Sequence, residues 1–248
     1  MTFDTIDNSQ QTGAKVAGWS GLFTFAIVVF GNYVLLNPLF VPGDVAATAQ
    51  NIVAHQTQLR VAAVCFLSYA LGVLVLLTAL YVVFKPVNPG LAIAAALFRF
   101  VFALLWLLAP LNLLSVLRIL SNANYLQVFE PNRLHALARL HLGANFDDYY
   151  VGLPFFGLAA TVCAWLWLKS GFIPKGLAIF GVISSTWCVL CAFIFLIFPG
   201  FNKIVNDYIF DSPMALFELA VSFWLLFKGL KPPTPNQTQA GIAARFHS

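Results

Sequence analysis

The sequence predicts an all-α polytopic membrane protein with six transmembrane helices and two amphipathic outer loop helices. Of its 248 residues, 60% are hydrophobic and 9% are charged, and the mean hydropathy is +0.86. Six apolar runs are each long enough to supply the roughly 20 helical residues that cross a bilayer. Runs such as 71–84 do not alternate between apolar and polar residues, which argues against the strands of a membrane barrel.

These runs organise the whole chain into one domain and two tails. We expect a transmembrane domain over 17–229, a cytoplasmic N-terminal tail over 1–16 and a disordered cytoplasmic C-terminal tail over 230–248. The first run is too long for a signal-peptide core and has no small-residue cleavage site behind it, so it is read as a retained helix. The predicted spans are 17–36, 61–84, 91–119, 149–168, 176–198 and 213–229.

The two outer loop helices are predicted from capping residues and helical spacing. Asp44 is a good N-cap for a helix over 45–57, in which apolar residues recur on one face. Pro131 suits the first turn of a second helix, and Gly143 suits its end. We therefore expect two amphipathic helices that lie on the outer face.

Basic residues set the predicted orientation. Seven basic residues lie in the two short hairpins and the tails. The longer opposite loops hold five basic residues and six acidic ones. The positive-inside rule places the short hairpins and both termini in the cytoplasm. A net charge of +4 is explained by this bracketing of the spans, so no nucleic-acid partner is expected. The seven basic residues are Lys15, Lys85, Lys169, Lys175, Lys228, Lys231 and Arg245.

Two charged residues, Arg99 and Glu218, lie inside apolar runs. A charge at the bilayer centre costs about 2.5–3.5 kcal/mol on insertion scales, so it needs a partner or a role. The helical rise puts Arg99 about 13 Å and Glu218 about 15 Å from the cytoplasmic side. We expect a buried ion pair between the third and sixth spans, with a ligand-binding role as the alternative. In the other alternative, Arg99 and Glu218 do not pair, and each faces a water-filled cavity. Pro110 and Asn112 predict a kink in the third span that would form a cavity wall.

A second group of candidates lies in the outer loops. His141, Asp147 and Asp148 are acid/base or zinc-ligand residue types close together in sequence. His141 shares a helix face with leucines, so a hydrogen-bonded packing role is the simpler interpretation. No motif supports a reaction class, and we assign no catalytic residue, metal or cofactor.

Cys188 and Cys191 form a CxxC pattern in the fifth span. Redox or metal chemistry at such a pair requires access and polar surroundings. Their neighbours are mostly apolar, so all four cysteines, including Cys65 and Cys163, are interpreted as small packing residues.

A set of short segments between residues 43 and 229 matches, in the same order, the segments of a known family. The segments are Gly43-Asp44, Ala46-Ala47-Thr48-Ala49, Asn51-Ile52, Lys85-Pro86-Val87-Asn88, Phe98-Arg99, Phe155-Phe156-Gly157-Leu158, Ser170-Gly171-Phe172-Ile173-Pro174, Phe217-Glu218-Leu219, Trp224-Leu225-Leu226 and Lys228-Gly229. As a set they resemble the bacterial DUF4386 family of multi-pass membrane proteins of unknown function. The resemblance implies a bacterial inner membrane and no particular activity. That family often carries an acid about three positions after the arginine. Phe102 stands there in this chain, so Arg99 must rely on Glu218 or another partner.

Three function classes follow from these features. The first is a binding or accessory membrane protein with a cavity between the third and sixth spans. The second is a membrane-embedded enzyme that uses His141, Asp147 and Asp148 at the outer face. The third is a small oligomeric transporter in which Arg99 binds an anionic substrate. The expected partners are the lipid bilayer and a small-molecule or lipid ligand, and the sequence leaves the oligomeric state open.

Overall fold

The computed structural model describes residues 6–121 and 123–231, and every regular element among them is helical. The first five residues, with Asp4, and most of the predicted C-terminal tail, with Arg245, lie outside the described residues. The helices are α1 (Asn8–Val29), α2 (Val45–Ala54), α3 (Gln56–Phe84), α4 (Pro89–Trp106), α5 (Leu108–Ile119), α6 (Pro131–Ser170), α7 (Lys175–Ile197), α8 (Asp207–Phe210) and α9 (Ser212–Phe227). A π-helical segment, Phe30–Leu36, continues α1.

Five helical stretches are long and apolar enough to cross a membrane. They correspond to the first five predicted spans, and they are Asn8–Leu39, Gln56–Phe84, Pro89–Ile119, Pro131–Ser170 and Lys175–Ile197. The sixth predicted span is the shorter apolar helix α9, whose 16 residues extend about 24 Å. Pro213 lies in the first turn of α9, where its missing amide hydrogen costs no helical hydrogen bond.

The loop helices differ from their predicted bounds. Helix α2 begins after Asp44, whose carboxylate accepts a hydrogen bond from the Ala47 amide at 2.8 Å. It ends at Ala54, and α3 follows from Gln56. The helix predicted to end at Gly143 instead continues through the fourth span as the 40-residue α6. Gly143 does not adopt the positive φ of a helix-ending glycine, and the helix continues past both Gly143 and Pro154.

The third span is broken where the proline predicts a kink. Helix α4 ends at Trp106 and α5 begins at Leu108. Pro110 has no amide hydrogen, so the carbonyl of Trp106 loses its usual helical donor. The Leu107 amide turns back to the carbonyls of Ala103 and Leu104 at 3.2 and 3.1 Å, which closes α4.

The described residues of Met1–Leu22, Gly72–Phe102 and Leu153–Ser248 form one compact unit. Its core includes Phe84, Trp167 and Phe217, and the rings of Phe84 and Trp167 lie 4.3 Å apart between centroids. Small residues allow α1 to approach α9 closely. A Cβ atom at Gly18 would lie 2.7 Å from Cγ of Leu226, so glycine is required at that contact.

The second compact unit comprises Phe23–Leu71 and Ala103–Gly152. Its apolar core draws Ile52 from α2, Phe66 from α3, Leu113 from α5 and Leu142 from α6. Apolar residues three or four positions apart bury one face of α5 and one face of α6 in this core. The half-buried positions beside that face carry polar side chains, which form the second site described below.

Candidate functional site

Arg99 on α4 and Glu218 on α9 lie in direct contact, although 119 positions separate them in sequence. The guanidinium donates from Nη1 to Oε2 at 3.1 Å and from Nη2 to Oε1 at 2.5 Å. This is a two-point arginine–carboxylate pairing, the geometry in which such pairs are strongest. The side chains are 2% and 22% exposed, so the pair is largely shielded from solvent.

Aromatic rings complete the surroundings of Arg99. Its guanidinium carbon lies 5.2 Å from the centroid of the Phe156 ring, within the range of a cation–π contact. Phe156 in turn stacks on Phe102 with centroids 4.7 Å apart. Phe102 therefore supports the ring that contacts Arg99, and Glu218 supplies the counter-charge.

The cavity beside Arg99 is small and differs from the one we expected. It has a volume of about 10 Å³, enough for about one water molecule. It is lined by residues of α3, α4 and α6, and α9 contributes none of its lining. This space is therefore not the cavity expected between the third and sixth spans, and that expectation stays a prediction. The lining residues include Leu80, Ala95 and Cys163.

A second polar site links two of the three outer-loop candidates through Asn112. The Asn112 amide donates from Nδ2 to Oδ2 of Asp148 at 2.8 Å. Its Oδ1 lies 3.3 Å from Nδ1 of His141. We call these three residues the Asn112 cluster. Asp147 is exposed and does not take part in these contacts.

The hydrogen-bond pattern of the cluster fixes the orientation of the amide and the imidazole. A carboxylate only accepts, so the Asn112 group facing Asp148 must be its NH₂. Its carbonyl oxygen therefore faces His141, and Nδ1 of His141 must be the donor. In the neutral imidazole this leaves Nε2 as a hydrogen-bond acceptor.

Other groups of candidate ligands remain separate. All four cysteines, including Cys188 and Cys191, are buried and free. Among the described residues there is no group of three or more His, Cys, Asp or Glu side chains that could hold a metal ion. At the start of α1, Asp7 accepts hydrogen bonds from the Gln10 amide and the Ser9 hydroxyl, which lower the pKa of its carboxyl group.

An all-helical fold, five long apolar helices and a buried arginine–glutamate pair are typical of a helical membrane protein. The chain belongs to the DUF4386 family, a domain of unknown function, whose profile matches residues 16–229. It is 28% identical over 154 residues to an uncharacterized protein of Archaeoglobus fulgidus, an alignment covering 62% of this chain and 74% of that protein. No solved structure matches the chain. Neither the family nor this relative has a described activity, so no specific function is established.

Proposed function

We propose that this chain is a six-span integral protein of the cell membrane, the inner membrane in a bacterium, with both termini in the cytoplasm. We further propose that it acts as a binding or accessory protein rather than as a transporter. The five long apolar helices and the apolar α9 support the span count. The excess of lysines in the short hairpins and tails supports the orientation.

The observation that carries the proposal is the two-point pairing of Arg99 with Glu218. Both terminal nitrogens of the guanidinium are engaged by the carboxylate, and the adjacent space has room for about one water. An anionic substrate would have to displace Glu218 to reach Arg99, and the displaced carboxylate would be left partly buried without its cation. Leaving one member of such a pair alone costs about 3–5 kcal/mol. The pair is therefore assigned to holding α4 against α9.

The contacts of Asn112 bear on the enzyme hypothesis, because they join only two of its three candidate residues. Asp148 and His141 are connected through Asn112, which supports a shared role for these two residues. Asp147 is exposed, and the described residues offer no set of metal ligands, so a metal-dependent reaction gains no support. A binding role for the cluster requires only the hydrogen bonds that are already present.

A reporter fusion after Ser248 tests the topology on which this proposal depends. We expect a reporter that is active only in the cytoplasm to be active there, and a periplasmic or extracellular reporter to be silent. The same pair of reporters fused after Glu130, in the long loop before α6, is the matched control and should give the opposite result. A non-cytoplasmic C-terminus would contradict the six-span arrangement.

Reconstitution into vesicles tests the choice between binding protein and transporter. We expect no solute uptake that depends on Arg99. Uptake of an anion that is abolished by Arg99→Lys in folded protein would identify a transporter and overturn the proposed function.

A further inference from the structure

Five lysines lie at one end of the compact unit whose core includes Phe84, Trp167 and Phe217. We propose that this surface, which we call the lysine face, binds the headgroups of anionic phospholipids. The proposal rests on the membrane insertion proposed above, but not on the orientation of the chain or on its role as a binding or accessory protein. The lysine face consists of Lys85, Lys169, Lys175, Lys228 and Lys231.

Contacts between helix ends bring the first two of these lysines together. Lys85 directly follows Phe84 at the end of α3. Lys169 follows Trp167 by two positions near the end of α6. The rings of Phe84 and Trp167 lie 4.3 Å apart between centroids, so the two lysines extend from neighbouring helix ends.

The segment after α9 lies against the turn between α6 and α7. The Lys231 amide donates a hydrogen bond to the Phe172 carbonyl at 2.9 Å. Phe172 lies three positions from both Lys169 and Lys175. The side chain of Leu230 is buried in the core of the unit and anchors the segment there. The backbone of Lys231 is therefore held beside the turn that carries two other lysines.

Within the described part of the chain, the lysine face carries an unbalanced positive charge. All five lysines are exposed, and none of them forms an ion pair with a described residue. Asp7 is an acid at the same end of the unit, because Nε2 of Gln10 donates to the Val83 carbonyl at 3.0 Å. Its carboxylate accepts from the Gln10 amide and the Ser9 hydroxyl. One carboxylate that caps α1 leaves the surface strongly positive, and it therefore favours an anionic partner.

The aromatic rings beneath the lysines indicate the level of lipid headgroups. The ammonium group of Lys231 lies 5.0 Å from the centroid of the Trp224 ring, and that of Lys85 lies 6.0 Å from the Tyr81 ring. Tryptophan and tyrosine are enriched where a bilayer meets water. Lysine stems that begin at this level can extend their charged ends to phosphate groups.

Exposed apolar side chains border the lysine face and favour a lipid over a soluble polyanion. Phe227 is 76% exposed and directly precedes Lys228. Its ring is stacked with the exposed ring of Phe223, with centroids 6.2 Å apart. Trp165 is exposed about one turn before Lys169 on α6. A phospholipid can cover this apolar surface with its acyl chains while its phosphate contacts the lysines, and a soluble polyanion cannot.

Thermal melting of the purified full chain in detergent micelles tests the proposal. We expect dioleoyl phosphatidylglycerol to raise the melting temperature more than dioleoyl phosphatidylcholine, because the two lipids share acyl chains and differ in net charge. Added sodium chloride should reduce this difference, since it screens surface charges. Glycerol 3-phosphate, a soluble anion without acyl chains, should give no shift at the same concentration. An equal shift with phosphatidylcholine or with glycerol 3-phosphate would overturn the proposal.

A triple variant locates the binding surface. Lys169→Gln, Lys175→Gln and Lys231→Gln together remove three charges and keep the backbone hydrogen bond to Phe172. We expect the apparent affinity for phosphatidylglycerol to fall about tenfold or more, because each lysine near an anionic surface contributes to binding. The response to phosphatidylcholine should not change. An undiminished phosphatidylglycerol shift in this variant would contradict the proposal.

The matched control removes three exposed basic residues of the predicted outer loops, with Arg60→Gln, Arg139→Gln and Lys203→Gln. It should leave the phosphatidylglycerol shift unchanged, and an equal loss in both triple variants would show that net charge alone is responsible. If the lysine-face variant does not fold, Lys175→Gln against Lys203→Gln makes the same comparison with single changes beside opposite ends of α7. A negative result would leave the span count and orientation, which the reporter fusions test, unaffected.

Discussion

At the scale of single residues, the buried charge of Arg99 is balanced by specific partners. Arg99 has a carboxylate on one side and the Phe156 ring on the other. Such a pair is costly to break, although replacing both members by apolar residues of similar size is often tolerated. The pair of Arg99 and Glu218 therefore indicates that α4 is held in one position on α9. It does not by itself indicate that the protein is highly stable.

The proton position on His141 is the residue-scale prediction. Nuclear magnetic resonance of ¹⁵N-histidine-labelled protein should show His141 in the tautomer with the proton on Nδ1, because Asn112 accepts from that nitrogen. The spectrum of His141→Gln assigns the signal, and Asn112→Leu should remove the preference. A neutral His141 with its proton on Nε2 would show that Asn112 is oriented the other way.

Some of these contacts could be predicted from the sequence, and others could not. The depths of Arg99 and Glu218 matched by helical rise alone, so their contact could be anticipated. From the sequence, Asn112 indicates only a kink, because its partner Asp148 lies 36 positions away on another helix. The contact of Phe156 with Arg99 could not be predicted from the sequence either. An aromatic residue in a Phe-rich span carries no signal that separates a cation–π contact from ordinary packing.

At the scale of elements, local signals located the helices better than their ends. Pro110 correctly indicated the break between α4 and α5, because its missing amide hydrogen leaves the Trp106 carbonyl without a helical donor. Pro154, by contrast, lies inside α6 and does not end it. Gly143 was misleading, because a glycine ends a helix only when the following chain turns away. Here the residues after it continue the helix, and α6 joins the predicted loop helix to the fourth span.

The contact between α1 and α9 gives the element-scale prediction. In Gly18→Val, the new side chain would meet Leu226 and the carbonyl oxygen of Ser222, so α1 must move away from α9. We expect a loss of about 1–3 kcal/mol, the usual cost of overpacking, measured as a lower melting temperature. Gly143→Ala is the control: nothing lies within 4 Å of its added Cβ, and it should be neutral or stabilising. A Gly18→Val protein as stable as the unmodified chain would contradict this packing.

At the scale of the whole molecule, residues far apart in sequence build each compact unit. Long apolar runs predict the helical class, which the structure confirms, and they favour a membrane protein, because a run of about 20 apolar residues has the length that crosses a bilayer. Composition did not indicate which helices meet, since lipid-facing and buried faces are equally apolar. The few charged or polar side chains in apolar helices carry that information, and the pair of Arg99 and Glu218 is the clearest example.

A double-mutant cycle on Arg99→Ala and Glu218→Ala tests the central claim, that this pair fastens α4 to α9. Melting temperature and folded yield in membranes are measured for both single variants and the double variant. The same cycle on the exposed pair Arg133 and Glu130 is the control, and its coupling should be below about 1 kcal/mol. We predict that each buried single change is strongly destabilising and that the double change costs clearly less than their sum, because removing both charges leaves neither unpaired. Additive effects of Arg99→Ala and Glu218→Ala would contradict the account.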